Sequence, residues 1–403
     1  MRDLNRYQFI QQQDYEAVAG PDWPKFDQFQ QHQGVGDFVY DEIDLVLSPP
    51  IDPPAFCVQP FYSWEYPKNT HCCLLAPNHD INQVKTDMLA GRRSSACKAC
   101  WRLEDVGVQS DRQIKNSTLD HYFQKELKTL YDQAVNGTAR IVNYKIDSSN
   151  TCTATCVTCN SSDSSAWGQL ERKNGVWPKK TWKLGIKDHD QQIDYANART
   201  VLFRGGEPFL HKTNFHILEQ LIAHNNQNCF ISFITNGSSI LSDYQKQLLE
   251  QFPNLNFCFS IDGIGPVFEY MRYPLKWDLL EENIDYCRQK GIMISASFTI
   301  SNVNLLYYQQ TQNWLRKNQI TSGYNLVTHP EHFSPTALPP HIKQHIIDQG
   351  IDDDMKKLVL TNHTAQDDTN YQQFLKEIAK QDQWKGIHMQ DYLPELAKLI
   401  DLK

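Results

Sequence analysis

Three thiols fall within one short run, Cys152-Thr-Ala-Thr-Cys156-Val-Thr-Cys159. Thiolates at a C-x3-C-x2-C spacing suit an iron–sulfur cube or zinc, and the softness of the ligands alone does not choose between them. Zinc ribbons usually present cysteines as separated C-x2-C pairs, whereas three in one loop, with no fourth Cys or His nearby, leave a metal under-ligated. A zinc knuckle borrowing a remote ligand is the plainer alternative. An open coordination position is what lets a metal site do chemistry.

A second set stands upstream: Cys57, the pair Cys72-Cys73, and Cys97-Lys-Ala-Cys100. Five thiols supply four ligands with one to spare, so a closed site is possible here. Taken alone, C-x2-C with two distant cysteines reads as structural zinc at least as readily as an iron–sulfur site.

The elements that must position the loop follow it in the chain. Phe203-Arg204-Gly205-Gly206-Glu207-Pro208 comes behind the strand-like Thr200-Val-Leu-Phe, Thr235-Asn236-Gly237 behind Cys229-Phe-Ile-Ser-Phe-Ile, and Ser260-Ile261-Asp262-Gly263 behind Leu255-Asn-Phe-Cys-Phe. Between them lie helix-like stretches such as His216-Ile-Leu-Glu-Gln-Leu-Ile-Ala, with apolar residues recurring at three and four. Strand, motif and helix in repetition read as a parallel β/α array. Functional loops of such an array leave the carboxyl ends of the strands, so these motifs should converge on one mouth.

Ile292-Met-Ile-Ser-Ala-Ser-Phe-Thr299-Ile and Gly323-Tyr-Asn325-Leu-Val-Thr328 add a fifth and a sixth strand, with Thr299 and Asn325 near their ends. The expected fold class is α/β, a partial (β/α)6 TIM-like barrel open on one side. Gly205 and Gly206 lack a Cβ and let a ligand approach the backbone, while Pro208 stiffens the exit. Ser260 and Asp262 alternate at one strand end and should face the same way. Asn236 is a polar candidate, although Asn-Gly is also a common turn dipeptide. Arg272, in Glu269-Tyr-Met-Arg272-Tyr-Pro274, either offers a planar fork to a carboxylate or is a solvated arginine on the following helix.

Jointly and in this order, the cysteine loop, the Gly-Gly-Glu-Pro segment and the Ser-Ile-Asp-Gly segment resemble the radical S-adenosylmethionine superfamily, over residues 140–330. The resemblance implies that Cys152, Cys156 and Cys159 hold a [4Fe–4S] cluster whose fourth iron is left for S-adenosylmethionine, chelated through its amino and carboxylate groups. Glu207 then either accepts from the cofactor's ammonium or braces the Gly-Gly turn. Ser260 and Asp262 lie where the family meets the ribose or the methionine carboxylate, Asn236 is a further contact, and Arg272 pairs with the carboxylate. Thr299 and Asn325 stand where substrate or adenine contacts are expected.

The upstream cysteines resemble the twitch or SPASM auxiliary-cluster domain, here placed before the barrel. That implies a second [4Fe–4S] cluster on Cys57, Cys97, Cys100 and one of Cys72 and Cys73, with Cys72 preferred. Phe56 to Phe61 and Ala96 to Arg112, with Glu104, Gly107 and Ser110, carry this part of the resemblance.

The implied activity is reductive cleavage of S-adenosylmethionine to a 5′-deoxyadenosyl radical, which abstracts a hydrogen atom from the substrate. An auxiliary cluster favours oxidative modification of a ribosomally made peptide or protein, with a small molecule, sugar or RNA as alternatives. An electron donor such as flavodoxin or ferredoxin is implied. The alternative of another class is a non-catalytic iron–sulfur or zinc binding module. Cys229, Cys258 and Cys287 are candidates for returning a hydrogen atom, against the plainer reading of small buried hydrophobes.

Composition agrees. The 403 residues carry 39 Lys and Arg against 47 Asp and Glu, a net charge of −8, so no overall basic field favours nucleic acid. The local run Lys179-Lys180-Thr-Trp-Lys183 either attracts an acidic peptide or phosphate or is a solvated loop. No apolar stretch approaches the ~20 residues of a membrane span, and the first residues lack a secretion signal's apolar core. Eleven cysteines in clustered spacing point to a reducing, cytoplasmic setting. The expected organisation is a Gln-rich extension (1–54), the auxiliary-cluster domain (55–135), the barrel (136–330) and a helical tail (331–403).

Overall fold

Along the central apolar runs, every second residue enters one shared core. Val201, Phe203, Ile231, Phe233, Leu255, Phe257 and Phe259 are buried together with Phe215, Ile217 and Leu218 of the helix Lys212–Ala223 and Leu280 and Ile284 of the helix Trp277–Lys290. Each such side chain contributes about 1.5–3 kcal/mol on burial. Phe233 stacks between Phe203 and Phe209, with ring centroids 4.7 and 4.5 Å away.

These contacts come from a computed structural model that describes residues 7–8 and 55–401, apart from 68–69, 73, 76–78, 106–109, 114, 117–126, 178–191, 352–354, 357–358 and 360–363. The rest of the Gln-rich extension, Cys73, Gly107 and the Lys179 to Lys183 run lie outside the described residues.

The strands are β1 (Tyr7–Gln8), β2 (Ser63–Tyr66), β3 (Asn143–Asp147), β4 (Thr200–Arg204), β5 (Phe230–Thr235), β6 (Leu255–Ser260), β7 (Met293–Ile300) and β8 (Thr321–Leu326). They form one eight-stranded sheet in the order β1-β8-β7-β6-β5-β4-β3-β2. β2 to β8 are parallel, and β1 lies antiparallel on β8. A mixed α/β architecture with a parallel sheet is thus present, but with seven parallel strands rather than six. The additional strand, β2, comes from the cysteine-rich segment and pairs Glu65 with Lys145. Ser63-Trp-Glu-Tyr is too short and mixed to read as a strand by itself. β8 begins and ends two residues earlier than expected, and Asn325 lies one residue from its end, opposite Thr299.

The other face of the sheet is polar. Alternation puts Lys145, Asp147, Arg204, Ser232, Asn256, Ser260, Ser295 and Thr299 on it. Asn256 donates to Ser232 Oγ at 3.0 Å and to Ser295 Oγ at 3.1 Å, tying three strands together. Glu65 meets Lys145 and Arg204, and Arg204 also pairs with Asp147 at 2.7 Å.

The two amphipathic patterns in the tail form the helices Pro340–Asp348 and Ala365–Lys385. The second starts at a Thr364–Asp367 capping box and stops at Gly386 in the left-handed region (φ 69°). Its Phe374 and Ile378 share a core with Met271, Phe298 and Ile300. Among the described residues no helix is long and apolar enough to cross a membrane.

Candidate metal and cofactor site

β3 runs directly into the cysteine loop, and the Gly-Gly-Glu-Pro segment continues alongside. Gly206 N donates to Ser149 O at 2.8 Å and Glu207 N to Thr151 O at 2.7 Å. A Cβ on Gly205, whose φ is +112°, would lie 2.6 Å from Ser149 O, and one on Gly206 2.2 Å from Thr151 O. The chain's own backbone thus packs closely against both glycines. Pro208 opens a 3-10 turn, Pro208–Leu210, in which Pro208 and Phe209 are buried.

Glu207, 2% exposed, accepts from Asn236 N at 2.8 Å, Thr235 Oγ1 at 2.8 Å and Phe209 N at 3.3 Å. Burial raises its pKa to about 7, against the pull of those donors. Its side chain ties the segment after β4 to the end of β5.

Further segments hold the loop. Thr155 N donates to Tyr273 O at 2.7 Å and Val157 N to Met271 O at 2.9 Å. Ser165 Oγ accepts from Cys152 N at 3.1 Å, and Trp167 Nε1 donates to Cys156 O at 2.9 Å. Gln381, from the helix Ala365–Lys385, donates to Val157 O at 3.0 Å.

Donors also reach the sulfurs. Cys152 Sγ accepts from Ala154 N at 3.5 Å and Asn236 Nδ2 at 3.7 Å, and Cys156 Sγ from Arg272 Nη1 at 3.8 Å. Burial pushes all three thiols up, Cys156 to about 11, with Arg272 pulling that one back. Among the described residues no three His, Cys, Asp or Glu side chains are gathered closely enough to hold a metal ion, so neither cysteine set is a preformed coordination sphere.

Arg272 is not solvated. It caps the helix Pro266–Met271 and pairs with Asp262 at 2.8 Å, and its Nε is buried with no acceptor among the described residues. Asp262 also accepts from Thr299 N at 2.8 Å. Asp262, Arg272, Thr299 and Cys156 thus form one connected network, and Glu207, Asn236 and Cys152 another. Ser260 is buried at the end of β6, two residues before Asp262, while Asn325 is exposed and pairs in register with Thr299.

Sequence reasoning missed Asn304, fully buried, whose Nδ2 donates to both Asp262 O and Thr299 O at 2.8 Å. A single asparagine in a loop carries no sequence signal for that role. Trp167, Gln381 and Lys385, single residues within helices, were missed as well.

Cys57, Cys72, Cys97 and Cys100 line one cavity, together with Gln59, Met88 and Arg112. Arg112 donates to Phe56 O at 2.8 Å, forks onto Glu104 at 2.9 and 2.8 Å, and lies 4.8 Å from the Trp101 ring centroid. Arg112 thereby ties the Cys57 turn to the helix Lys98–Asp105, and Asn116 holds the same turn by receiving Val58 N and donating to Phe56 O. Burial raises Cys97 to about 11 and lifts Cys57 and Cys100 above the usual thiol range.

Cys229 and Cys287 belong to the apolar core, and Cys258 is buried outside it on β6.

No known family matches the chain, and no curated protein does. Among solved structures it is similar to native anSMEcpe with bound AdoMet, at 15% identity and a TM-score of 0.36 over 53% of this chain and 61% of that one. It is similar to Streptococcus suis SuiB bound to S-adenosylmethionine at 14% identity, TM-score 0.35, over 60% and 52%. SuiB bound to its precursor peptide SuiA gives 11%, 0.34, 60% and 55%. The chain covers less than two thirds of these neighbours' own length. Likeness at these scores assigns nothing by itself.

Proposed function

We propose that the chain is a radical S-adenosylmethionine enzyme in which Cys152, Cys156 and Cys159 hold a [4Fe–4S] cluster at the mouth of a partial β/α barrel. The observation that carries the reading is the surroundings of Cys156. Arg272 reaches its sulfur and Asp262 at once, and keeps a buried Nε donor that a bound carboxylate would satisfy. The donor set fits too: three soft ligands with N–H groups aimed at two of the sulfurs suit an anionic thiolate cluster.

Bound there, the cluster would supply one electron to S-adenosylmethionine, giving methionine and a 5′-deoxyadenosyl radical that takes a hydrogen atom from the substrate. The chain's own part is orientation and exclusion of water. Gly205, Gly206 and Glu207 hold the loop, and Asn236 and Arg272 steady the sulfurs. Ser260, Asp262, Thr299 and Asn325 stand at the strand ends for the ribose, adenine or substrate.

Cys57, Cys72, Cys97 and Cys100 are read as the ligands of an auxiliary [4Fe–4S] cluster in residues 55–135, ahead of a barrel in 136–330 and a helical tail in 331–403. Four thiols close that site, which favours electron transfer or structure over substrate coordination. Oxidation of a peptide or protein side chain is then the favoured outcome, with flavodoxin or ferredoxin as electron donor and the cytoplasm as setting. The polar inner face of the sheet supports a polar substrate.

The test is anaerobic. Reconstituted protein is reduced with dithionite and given S-adenosylmethionine, and 5′-deoxyadenosine is quantified beside Cys156→Ala. Formation in the wild type alone is expected. Iron-loaded protein that gives none with a panel of peptides would sink the reading.

A further inference from the structure

The last turn of the helix Ala365–Lys385 delivers a cation to the cysteine loop. Lys385 is 9% exposed and its Nζ lies 5.0 Å from the centroid of the Trp167 ring. Trp167 in turn donates to Cys156 O, and Gln381, one helical turn before Lys385, donates to Val157 O. Two residues of one helix are thereby pinned against the segment joining Cys156 and Cys159.

The ammonium has three donors, and a single hydrogen-bond acceptor meets them among the described residues, Gln381 Oε1 at 2.9 Å. The carboxylates near it are engaged elsewhere. Asp382 accepts from Tyr270 OH at 2.8 Å and from Met389 N at 2.7 Å, and Glu377 pairs with Lys380. Cys156 and Cys159 are the remaining groups of potential negative charge in its field. Burial pulls the Lys385 pKa down to about 8, and Cys156, Asp382 and Glu377 pull it back up. A cation in a buried position is costly unless an anion compensates it.

We propose that Lys385 is the charge-compensating residue of the cysteine-loop cluster, a fixed positive charge that stabilises the reduced, more negative state and so raises the potential at which the cluster accepts its electron. The inference rests on the three-cysteine cluster reading. Lys385 acts through its field and not as a ligand, and the Trp167 ring and Gln381 hold it in position. The one-electron step it assists draws its electron from the external donor named above.

The test is an EPR-monitored redox titration of the full-length reconstituted protein, read on the iron–sulfur signal that S-adenosylmethionine perturbs. Lys385→Met keeps the stem over Trp167 and removes the charge. Lys385→Gln is a second neutral variant that keeps a polar end for Gln381, and Lys385→Arg restores the charge. Both neutral variants should reduce less readily by about tenfold in the equilibrium constant, ~59 mV for a one-electron couple, and the arginine variant should return toward wild type. Iron content and melting temperature close to wild type would accompany the shift. Unchanged potentials in both neutral variants would overturn the proposal while leaving the cluster reading intact. Absence of any S-adenosylmethionine-responsive signal in the wild type would overturn the cluster reading and this one with it.

Discussion

Arg272 and Asp262 form a buried ion pair at 2.8 Å, and the second guanidinium arm of the same arginine rests 3.8 Å from Cys156 Sγ. One side chain therefore couples the end of β6 to the cysteine loop. Arg272→Met would leave Asp262 buried and unpaired, a loss of about 3–5 kcal/mol for breaking such a pair. Chemical denaturation of the unloaded protein measures it. The Arg272→Lys variant has no fork to span both partners, so its recovery should be partial.

Gly206→Ala should be the more damaging of two matched alanine substitutions. Its Cβ would lie 2.2 Å from Thr151 O, a backbone atom, whereas Gly175 has φ +77° and nothing within 4 Å of its would-be Cβ. Gly175→Ala pays only for a left-handed backbone, ~1–2 kcal/mol. Overpacking at Gly206 should cost about 3 kcal/mol or more and loosen the cysteine loop. Thermal melts of both variants, with iron loading measured on each, provide the check.

The two cysteine sets should fail independently. Cys159→Ala should abolish the S-adenosylmethionine-responsive iron–sulfur signal and spare the other, and Cys97→Ala should do the reverse. Iron and sulfide analysis with EPR separates the cases, and a variant in which both signals vanish together would contradict two separate sites.

Acid should weaken the cysteine-rich end of the sheet. Burial, with Lys85 adding to it, pulls the His71 pKa from its ordinary 6.5 to about 4, and the ring Nδ1 lies 2.8 Å from Ser63 O. The unfolded chain binds a proton below pH 6.5 and the folded chain does not until about pH 4. Stability is therefore intact above 6.5 and lost as the pH falls from 6.5 to 4, by up to about 3 kcal/mol. His71→Phe should flatten that slope in urea denaturation measured across the same range.

Much of this arrangement could be read from local pattern. The runs ending at Phe203, Ile234 and Phe259 alternate or are continuously apolar, and a Gly, Asn or Ser motif punctuates each, so β4, β5 and β6 and their loops are legible. β2 was not, because four residues containing Glu65 become a strand only by pairing with β3. The role of Gly206 was half legible: glycine announces a close approach, and the sequence does not say that the approaching group is Thr151 O. Asn304 reaches Asp262, 42 residues away, and Lys385 lies over the Trp167 ring, through packing that leaves no periodic trace.

The hydrogen bond from Gln381 to Val157 spans 224 residues. During synthesis the cysteine loop leaves the ribosome long before the helix that covers one of its sides, so that side stays accessible until the tail has been made and has docked. Docking of the tail is thus the step that covers this side of the loop, and it comes last.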